Sequence, residues 1–243
     1  MKDNWLKMSI LETTSLIKDG THGTHKDVSN GIPLLSAKDI VGGNVLLPDD
    51  ARLISEMEFL QIHKTYKLQK DDVLLTLVGT IGRVAILKDY STKFTFQRSV
   101  GILRFDEKVI PEYAYYYVSS EIFYKDLIRS MNASAQGGVY LGELGKIKIC
   151  FPESLPHQRK IAHILSTCDE VIEKTEAAIA KYQALKQGMM HDLFTRGIDV
   201  NTGKLRPSYQ DAPELYEESK LGMIPKEWDV INFEEATEII TDF

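Results

Sequence analysis

The chain is poor in the residues that build metal knuckles and disulfide frameworks. It has two cysteines in 243 residues, Cys150 and Cys168, and they form no CxxC pair. A reduced, cytoplasmic protein without structural zinc is expected. No strongly apolar run exceeds six or seven residues, far short of a membrane span. The N-terminal MKDNWLKMSILETT holds no apolar stretch of signal-peptide length. There is no Pro-Pro pair, which removes the Pro-Pro-aromatic tetrad of enzymes that methylate base amino groups. GTIGRV lacks the lysine of a nucleotide-binding P-loop. A GxxG clamp of the KH type joins two helices, whereas strands are predicted on both sides of Gly79-Thr80-Ile81-Gly82. Asp49, Asp106, Glu107 and Lys108 could be arranged into a nuclease-like set, but Asp106-Glu107-Lys108 reads as a polar turn at a strand end. His22 and His25, three apart in a glycine-rich loop, fix no metal geometry, and no third ligand stands nearby. No catalytic residue and no metal site are assigned, and the chain is not expected to be an enzyme.

The net charge of −6 is unevenly spread. Residues 1–153 carry 19 basic and 19 acidic side chains, residues 154–210 carry 8 and 6, and residues 211–243 carry 2 and 10. The acidity therefore belongs to the tail. A neutral body can still gather Lys and Arg on one face, so total charge neither supports nor excludes nucleic acid as a partner.

Residues 1–153 read as a globular α/β domain. DVLLTLV (Asp72–Val78) is a near-continuous apolar run, as in a strand buried on both faces. RVAIL (Arg83–Leu87) is a second strand, and GTIG between them is a tight turn. FTFQRSVGILRF (Phe94–Phe105) alternates as a third strand. Pro111 suits the first turn of a helix running from Glu112 to about Met131. KIKICF (Lys146–Phe151) returns as a strand before Pro152 and Pro156 punctuate the chain.

Residues 154–197 have a different texture. Ile161, Ile164, Cys168, Val171, Ala178, Tyr182, Leu185 and Met189 recur at spacings of three and four, and Ile172 and Ile179 widen the stripe. Nothing from His157 to Gln187 is Pro or Gly. The pattern predicts one long coiled-coil-like helix, about 40 residues and roughly 60 Å. Its stripe is too long to bury on a small domain, so a partner helix is expected, by homodimerisation or from the rest of a longer subunit. A helix folded onto its own domain, or broken near Gly188, is the alternative. Residues 198–220 read as a polar linker. Residues 221–243 begin the chain again: Trp5, Glu12, Thr14, Ile17 and Asp19 recur as Trp228, Glu235, Thr237, Ile240 and Asp242 at a fixed offset of 223.

Several motifs, in order, carry a resemblance. They are GIPLLSAKDI, DDVLLTLVGTIGRVAIL, FQRSVGILR and QGGVYLGEL in the head, then Leu193, Thr195, Arg196 and Gly197 at the helix end. Ser219, Leu221, Gly222, Ile224, Pro225 and Trp228 follow. Together they resemble the specificity subunit of type I restriction–modification systems. The resemblance implies a tandem plan of recognition domain, helix, recognition domain, helix, with the helices paired antiparallel. This sequence would then hold one unit and the truncated start of a second. The family also implies methyltransferase subunits that bind around the helices and supply S-adenosylmethionine. A restriction subunit would bring ATP-driven translocation and cleavage. No cofactor is expected in this chain, and no activity of it alone.

A reader of double-stranded DNA needs hydrogen-bonding side chains against base edges. In the third predicted strand Thr95, Gln97 and Ser99 share one parity, so Gln97 is the leading base reader. Arg98 is either a second reader or a half-buried structural arginine. Arg83 leaves the GTIG turn toward a phosphate or a guanine. Thr21, His22, Lys38, Thr80 and Gln136 complete a set of loop contacts, and a polar cleft is predicted. A reading of another class is a non-catalytic decoy that occupies the methyltransferase through its helix without reading DNA.

Overall fold

The computed structural model describes residues 4–132 and 137–238. Gln136, Ile239, Ile240 and Asp242 lie outside the described residues. The chain forms two compact units, Met1–Cys168 and Asp169–Phe243.

The first unit opens with β1 (Trp5–Ser9), α1 (Ile10–Thr13) and β2 (Thr14–Asp19), then β3 (Ile32–Leu35), β4 (Ile40–Val41), β5 (Asn44–Val45) and β6 (Leu53–Ile54). It continues through α2 (Glu56–Ile62), β7 (Val73–Thr76), β8 (Val84–Ile86), β9 (Thr95–Phe96) and β10 (Val100–Phe105). Three helices follow, α3 (Pro111–Val118), α4 (Glu121–Asn132) and α5 (Leu141–Lys146), and then β11 (Lys148–Pro152). Four strands make an antiparallel sheet in the order β2-β10-β7-β8. A smaller sheet, β6-β3-β9, pairs β3 with β9 in parallel. β1 closes antiparallel on β11, tying the two ends of the head together.

The predicted doubly buried strand is present. Val73, Leu75 and Leu77 pack on one face of the large sheet with Leu103, Val118, Phe123, Leu127 and Leu144. Leu74 packs on the other with Leu35, Ile40, Phe94, Phe96 and Ile102. A run with no polar alternation has this outcome when both faces are covered.

Two predicted elements are broken by local hydrogen bonding. The strand expected over Phe94–Phe105 is interrupted by a turn, in which Val100 N–H donates to Gln97 O (3.1 Å). β9 goes to the small sheet and β10 to the large one. Thr95 is wholly buried, so the polar face read from its parity does not extend that far. Gly20 permits the crossover, because a Cβ there would stand 2.1 Å from Phe96 O. The helix expected over residues 112–131 divides at two serines. Ser119 Oγ donates to Tyr115 O (2.7 Å) and Ser120 Oγ to Tyr117 O (2.6 Å), while Ser120 Oγ accepts Phe123 N–H (3.3 Å). Serines that satisfy helix-end groups compete with helix continuation.

α6 (Leu155–Thr195) is one uninterrupted helix of 41 residues, with no break at Gly188. Its first turns are rooted in the head, where Gln158 and Ala162 are buried and Ile161 packs on the main core. Beyond them the stripe is open, with Ile164 54% exposed and Tyr182 67% exposed.

In the second unit the stretch read as a linker carries paired strands. β12 (Ile198–Asp199) pairs with β13 (Lys204–Leu205), and β14 (Tyr216–Ser219) pairs with β15 (Gly222–Pro225); α7 (Phe233–Glu238) follows. Gly197 has φ +67°, and a Cβ on it would meet Trp228 at 2.6 Å and Arg206 Nη1 at 2.9 Å. Arg206 is buried and pairs with Glu227. Thus Arg196-Gly197 and Trp228, which the sequence resemblance singles out, meet in space. The repeat is structural as well. Glu12 accepts Ser9 N–H (2.7 Å) ahead of α1, and Glu235, at the repeat offset, accepts Asn232 N–H (3.1 Å) ahead of α7.

One buried group makes head stability depend on pH. His63 packs at a tilt against Phe59 (4.4 Å) and Tyr66 (5.1 Å), and its Nδ1 meets Tyr66 O at 3.2 Å. Its Nε2 finds no partner among the described residues. Burial pushes its pKa below the usual histidine value, and Lys67 acts in the same direction. The unfolded chain, titrating near pH 6.5, therefore takes up the proton first. The contribution is complete above that pH and is lost as pH falls toward the lower folded-state value. Thermal midpoints measured between about pH 7 and 5 are expected to fall more steeply for the wild type than for His63→Phe.

Candidate nucleic-acid interface

The ends of four strands converge on one rim of the head. Where β2 and β9 end, Thr21 N–H donates to Phe96 O (2.8 Å) and Arg98 N–H to Thr21 O (3.0 Å). Gln97 N–H donates to Leu35 O (2.8 Å) at the end of β3. Leu77 N–H, just past β7, donates to Ser99 O (2.8 Å), and Ala37 N–H to Ser99 Oγ (3.1 Å). Val139 N–H reaches Leu77 O (3.0 Å), and Val78 forms a bridge with Gly138. Backbone hydrogen bonds and the Ser99 hydroxyl thus stitch residues 20–22, 36–38, 77–83, 97–99 and 137–139 into one surface. A rim built this way is pre-organised, which cuts the ordering cost of binding.

The side chains that the sequence analysis selected are mostly exposed on this rim. His22, Lys38, Thr80, Arg83 and Arg98 are exposed, and Thr21 and Gln97 are half-buried. Ser36 and Asp39 hold the short turn bearing Lys38: Asp39 Oδ2 accepts Ser36 N–H (2.7 Å) and Ser36 Oγ (3.2 Å). The side chains of Lys38 and Arg98 have no hydrogen bond or ion pair among the described residues. Arg98 is therefore not the half-buried structural arginine of the alternative reading. Arg83 is partly committed, since its N–H donates to Thr76 Oγ1 (2.8 Å) and its Nη1 to Ile40 O (3.3 Å). Thr80 O accepts the Thr76 hydroxyl, which leaves the Thr80 side chain outward. His22 Nε2 lies 2.5 Å from Asp19 Oδ2.

Sequence reasoning placed Ser99 on the polar face of the third strand without foreseeing its bonds to Ala37 and Leu77, and it passed over the partners of His25. His25 Nε2 meets Thr21 Oγ1 at 2.7 Å and its Nδ1 meets Glu58 Oε1 at 3.2 Å. The Ser55-x-x-Glu58 spacing, a capping box opening α2, was the available signal for Glu58. No group of three or more His, Cys, Asp or Glu able to hold a metal occurs among the described residues. Among those residues no helix is long and apolar enough to cross a membrane.

Of the helix-pairing candidates, Ile161 is drawn into the head core. Ile164, Cys168, Val171, Ile172, Ala178, Ile179, Tyr182, Leu185 and Met189 are exposed along α6. A contiguous apolar stripe of this length marks an interaction surface.

A head with a pre-organised polar rim, carried on a helix with an open apolar stripe, defines a recognition and scaffolding module. The family model for the type I restriction modification DNA specificity domain matches residues 14–182, and the chain belongs to that family. It is similar to the EcoBI specificity subunit of Escherichia coli, at 28% identity over 69% of this chain and 36% of that one. It is also similar to a putative type I restriction enzyme specificity subunit, MjaX, of Methanocaldococcus jannaschii, at 23% identity over 94% and 52%. The chain therefore spans about half or less of the length of these curated relatives. Its fold is shared with the type I S subunit of M. genitalium, with a TM-score of 0.52 at 18% identity, covering 79% of this chain and 46% of that one.

Proposed function

We propose that this chain is the sequence-reading component of a type I restriction–modification complex. The rim engages double-stranded DNA over one half of a bipartite site, and the α6 stripe docks on a second such helix and on methyltransferase subunits. The observation that carries this reading is the convergence of Thr21, Lys38, Thr80, Arg83, Gln97 and Arg98 on one stitched surface of a family member. Lys38 and Arg98, cations without a partner among the described residues, suit phosphates, while Gln97 suits an adenine edge. Methyl transfer with S-adenosylmethionine and ATP-driven cleavage fall to partner subunits, the second to a restriction subunit. The complex works where DNA is, in the cytoplasm. The decoy reading finds no support in the family match.

The test is to assemble the chain with its methyltransferase subunits and map the methylated bases. A defined interrupted motif is expected, and a stable but silent complex would remove the reading. The stripe is tested by Ile172→Asp combined with Ile179→Asp. Both side chains are about half exposed in this chain, at 55% and 51%, so the head should keep its stability. Packing two unpaired carboxylates into an apolar seam is expected to weaken assembly by about 100-fold or more, read by analytical ultracentrifugation.

A further inference from the structure

We infer that His25 and Glu58 set the hydrogen-bonding polarity of the Thr21 hydroxyl, so that Thr21 reads a base amino group, that of adenine or cytosine, and rejects base acceptors. The inference rests on the reading of the rim as a DNA-binding surface and names what one of its positions selects.

The relay runs inward from the rim. Glu58 belongs to the capping box of α2, where its Oε2 accepts Ser55 Oγ (3.0 Å) and its Oε1 faces His25 Nδ1 (3.2 Å). The Ser55 hydroxyl, helped by His25 and the Lys26 N–H, holds the Glu58 carboxyl below its usual range. An ionised carboxylate can only accept, so Nδ1 of His25 must carry the proton. In the neutral ring Nε2 is then an acceptor, and the partner 2.7 Å away is Thr21 Oγ1. The hydroxyl proton of Thr21 is thereby committed inward. One lone pair of Oγ1 faces Gly23 N–H at 3.4 Å, and the other is left for whatever meets the rim. A hydroxyl with only a lone pair to offer selects donors. Along the major groove the base donors are adenine N6 and cytosine N4, against the acceptors of guanine and thymine.

The ring cannot turn away from this task. The His25 side chain is only 11% exposed, and Arg52 donates to the His25 carbonyl. A Cβ on Gly23 would stand 3.3 Å from Nε2. The charged groups around the ring are Glu58 on α2, Arg52 with its partner Asp27, and Lys26. A proton on Nε2 in place of Nδ1 would make Nε2 a donor to Oγ1, free the Thr21 hydroxyl proton, and invert the preference toward guanine O6/N7 or thymine O4.

Glu58 and His25 are thus positioning residues, and they need not touch DNA. The test uses the full chain assembled with its methyltransferase subunits, a randomised duplex library, and sequencing of the methylated products. For the wild type a preference for adenine or cytosine, of roughly tenfold, is expected at one position of the motif. Thr21→Val should abolish it there and leave the rest of the motif intact, and Thr21→Ser should keep it. Glu58→Gln keeps the capping box but lets an amide N–H face Nδ1, so it should relax or invert the same position. If Glu58→Gln fails to fold, His25→Phe, which removes the acceptor facing Thr21, takes its place and should relax the same position. The inference is overturned if Thr21→Val leaves every position unchanged. It is equally overturned if Thr21→Val relaxes a position that neither Glu58→Gln nor His25→Phe affects. A wild-type complex that methylates no defined motif is a different result: it removes the DNA-reading assignment, and this inference with it.

Discussion

Arg104→Met is expected to destabilise the head by about 3–5 kcal/mol, the usual consequence of leaving a buried charge unpaired. Asp72 is wholly buried, and its carboxylate takes both prongs of Arg104, Nε at 2.8 Å and Nη2 at 2.9 Å. Nη2 also donates to Lys67 O (2.7 Å), and Gln69 N–H donates to the same carboxylate (2.8 Å). Removing the guanidinium orphans a buried acid and loosens the 67–71 turn, in which Asp71 already sits at φ 72°. This turn delivers β7, the strand whose end carries Thr76, Thr80 and Arg83 to the rim. Loss of the pair should therefore weaken DNA reading as well as stability. Denaturant unfolding should show a lower midpoint for Arg104→Met. The double replacement Arg104→Met with Asp72→Leu should recover much of the loss, because an apolar pair leaves no charge buried. If the single and double variants unfold at the same midpoint, the pair contributes nothing specific.

The parts of this fold that sequence exposes are those governed by one long-range pattern. DVLLTLV is uniformly apolar, and it is the strand covered on both faces. The stretch from His157 to Gln187 lacks breakers and keeps a stripe, and it is one helix. The parts that stay hidden depend on hydrogen bonds that no periodicity registers, some between groups far apart in the chain and some within a single turn. The strand over Phe94–Phe105 breaks because Gln97 and Ser99 are claimed by Leu35 and Leu77, which no local alternation reveals. The helix after Pro111 breaks at two serines whose hydroxyls bond the preceding turn, a choice that helix periodicity cannot register. Residues 198–225, too polar to show periodicity, gain order from Arg206, Tyr216 and Ile224 buried among themselves and their neighbours.

The candidate site shows the same division. The residue types suited to DNA, such as Gln97, Arg98 and Lys38, were visible one at a time from their chemistry. Their convergence was not, because it is made by hydrogen bonds between segments far apart in the chain, such as Ala37 N–H to Ser99 Oγ, 62 residues away, and Arg98 N–H to Thr21 O. The His25–Glu58 contact spans 33 residues and joins a loop to a helix. The spacing of His22 and His25 argues against a metal but does not reveal that the two rings have separate carboxylate partners, Asp19 and Glu58.

Gln158→Leu is expected to cost about 3 kcal/mol or more and to detach the root of α6 from the head. Gln158 is wholly buried in the second turn of the helix. Its Oε1 accepts Ile110 N–H (2.9 Å), and its Nε2 donates to Lys108 O (2.8 Å) and to Pro152 O (2.8 Å). One amide thus satisfies three backbone groups, from the turn before α3, the end of β11 and the start of that helix. Leucine matches the volume but orphans all three, and each buried unsatisfied group costs about 1–3 kcal/mol. Glutamate restores only the bond from Ile110 N–H and sets a charge against two carbonyls, so Gln158→Glu should be no better. The measurement is amide exchange at Ile110 together with the denaturation midpoint. Fast exchange and a lower midpoint are expected in both variants, with the large-sheet amides of Val73–Thr76 still protected. Unchanged exchange at Ile110 would show that the helix root is held by Ala162 and Ile161 packing alone. On the proposed function, a rigid root is what lets the helix set the spacing between half-sites, so a complex assembled with the Gln158→Leu chain is expected to methylate with relaxed spacing between half-sites rather than with altered half-site sequence.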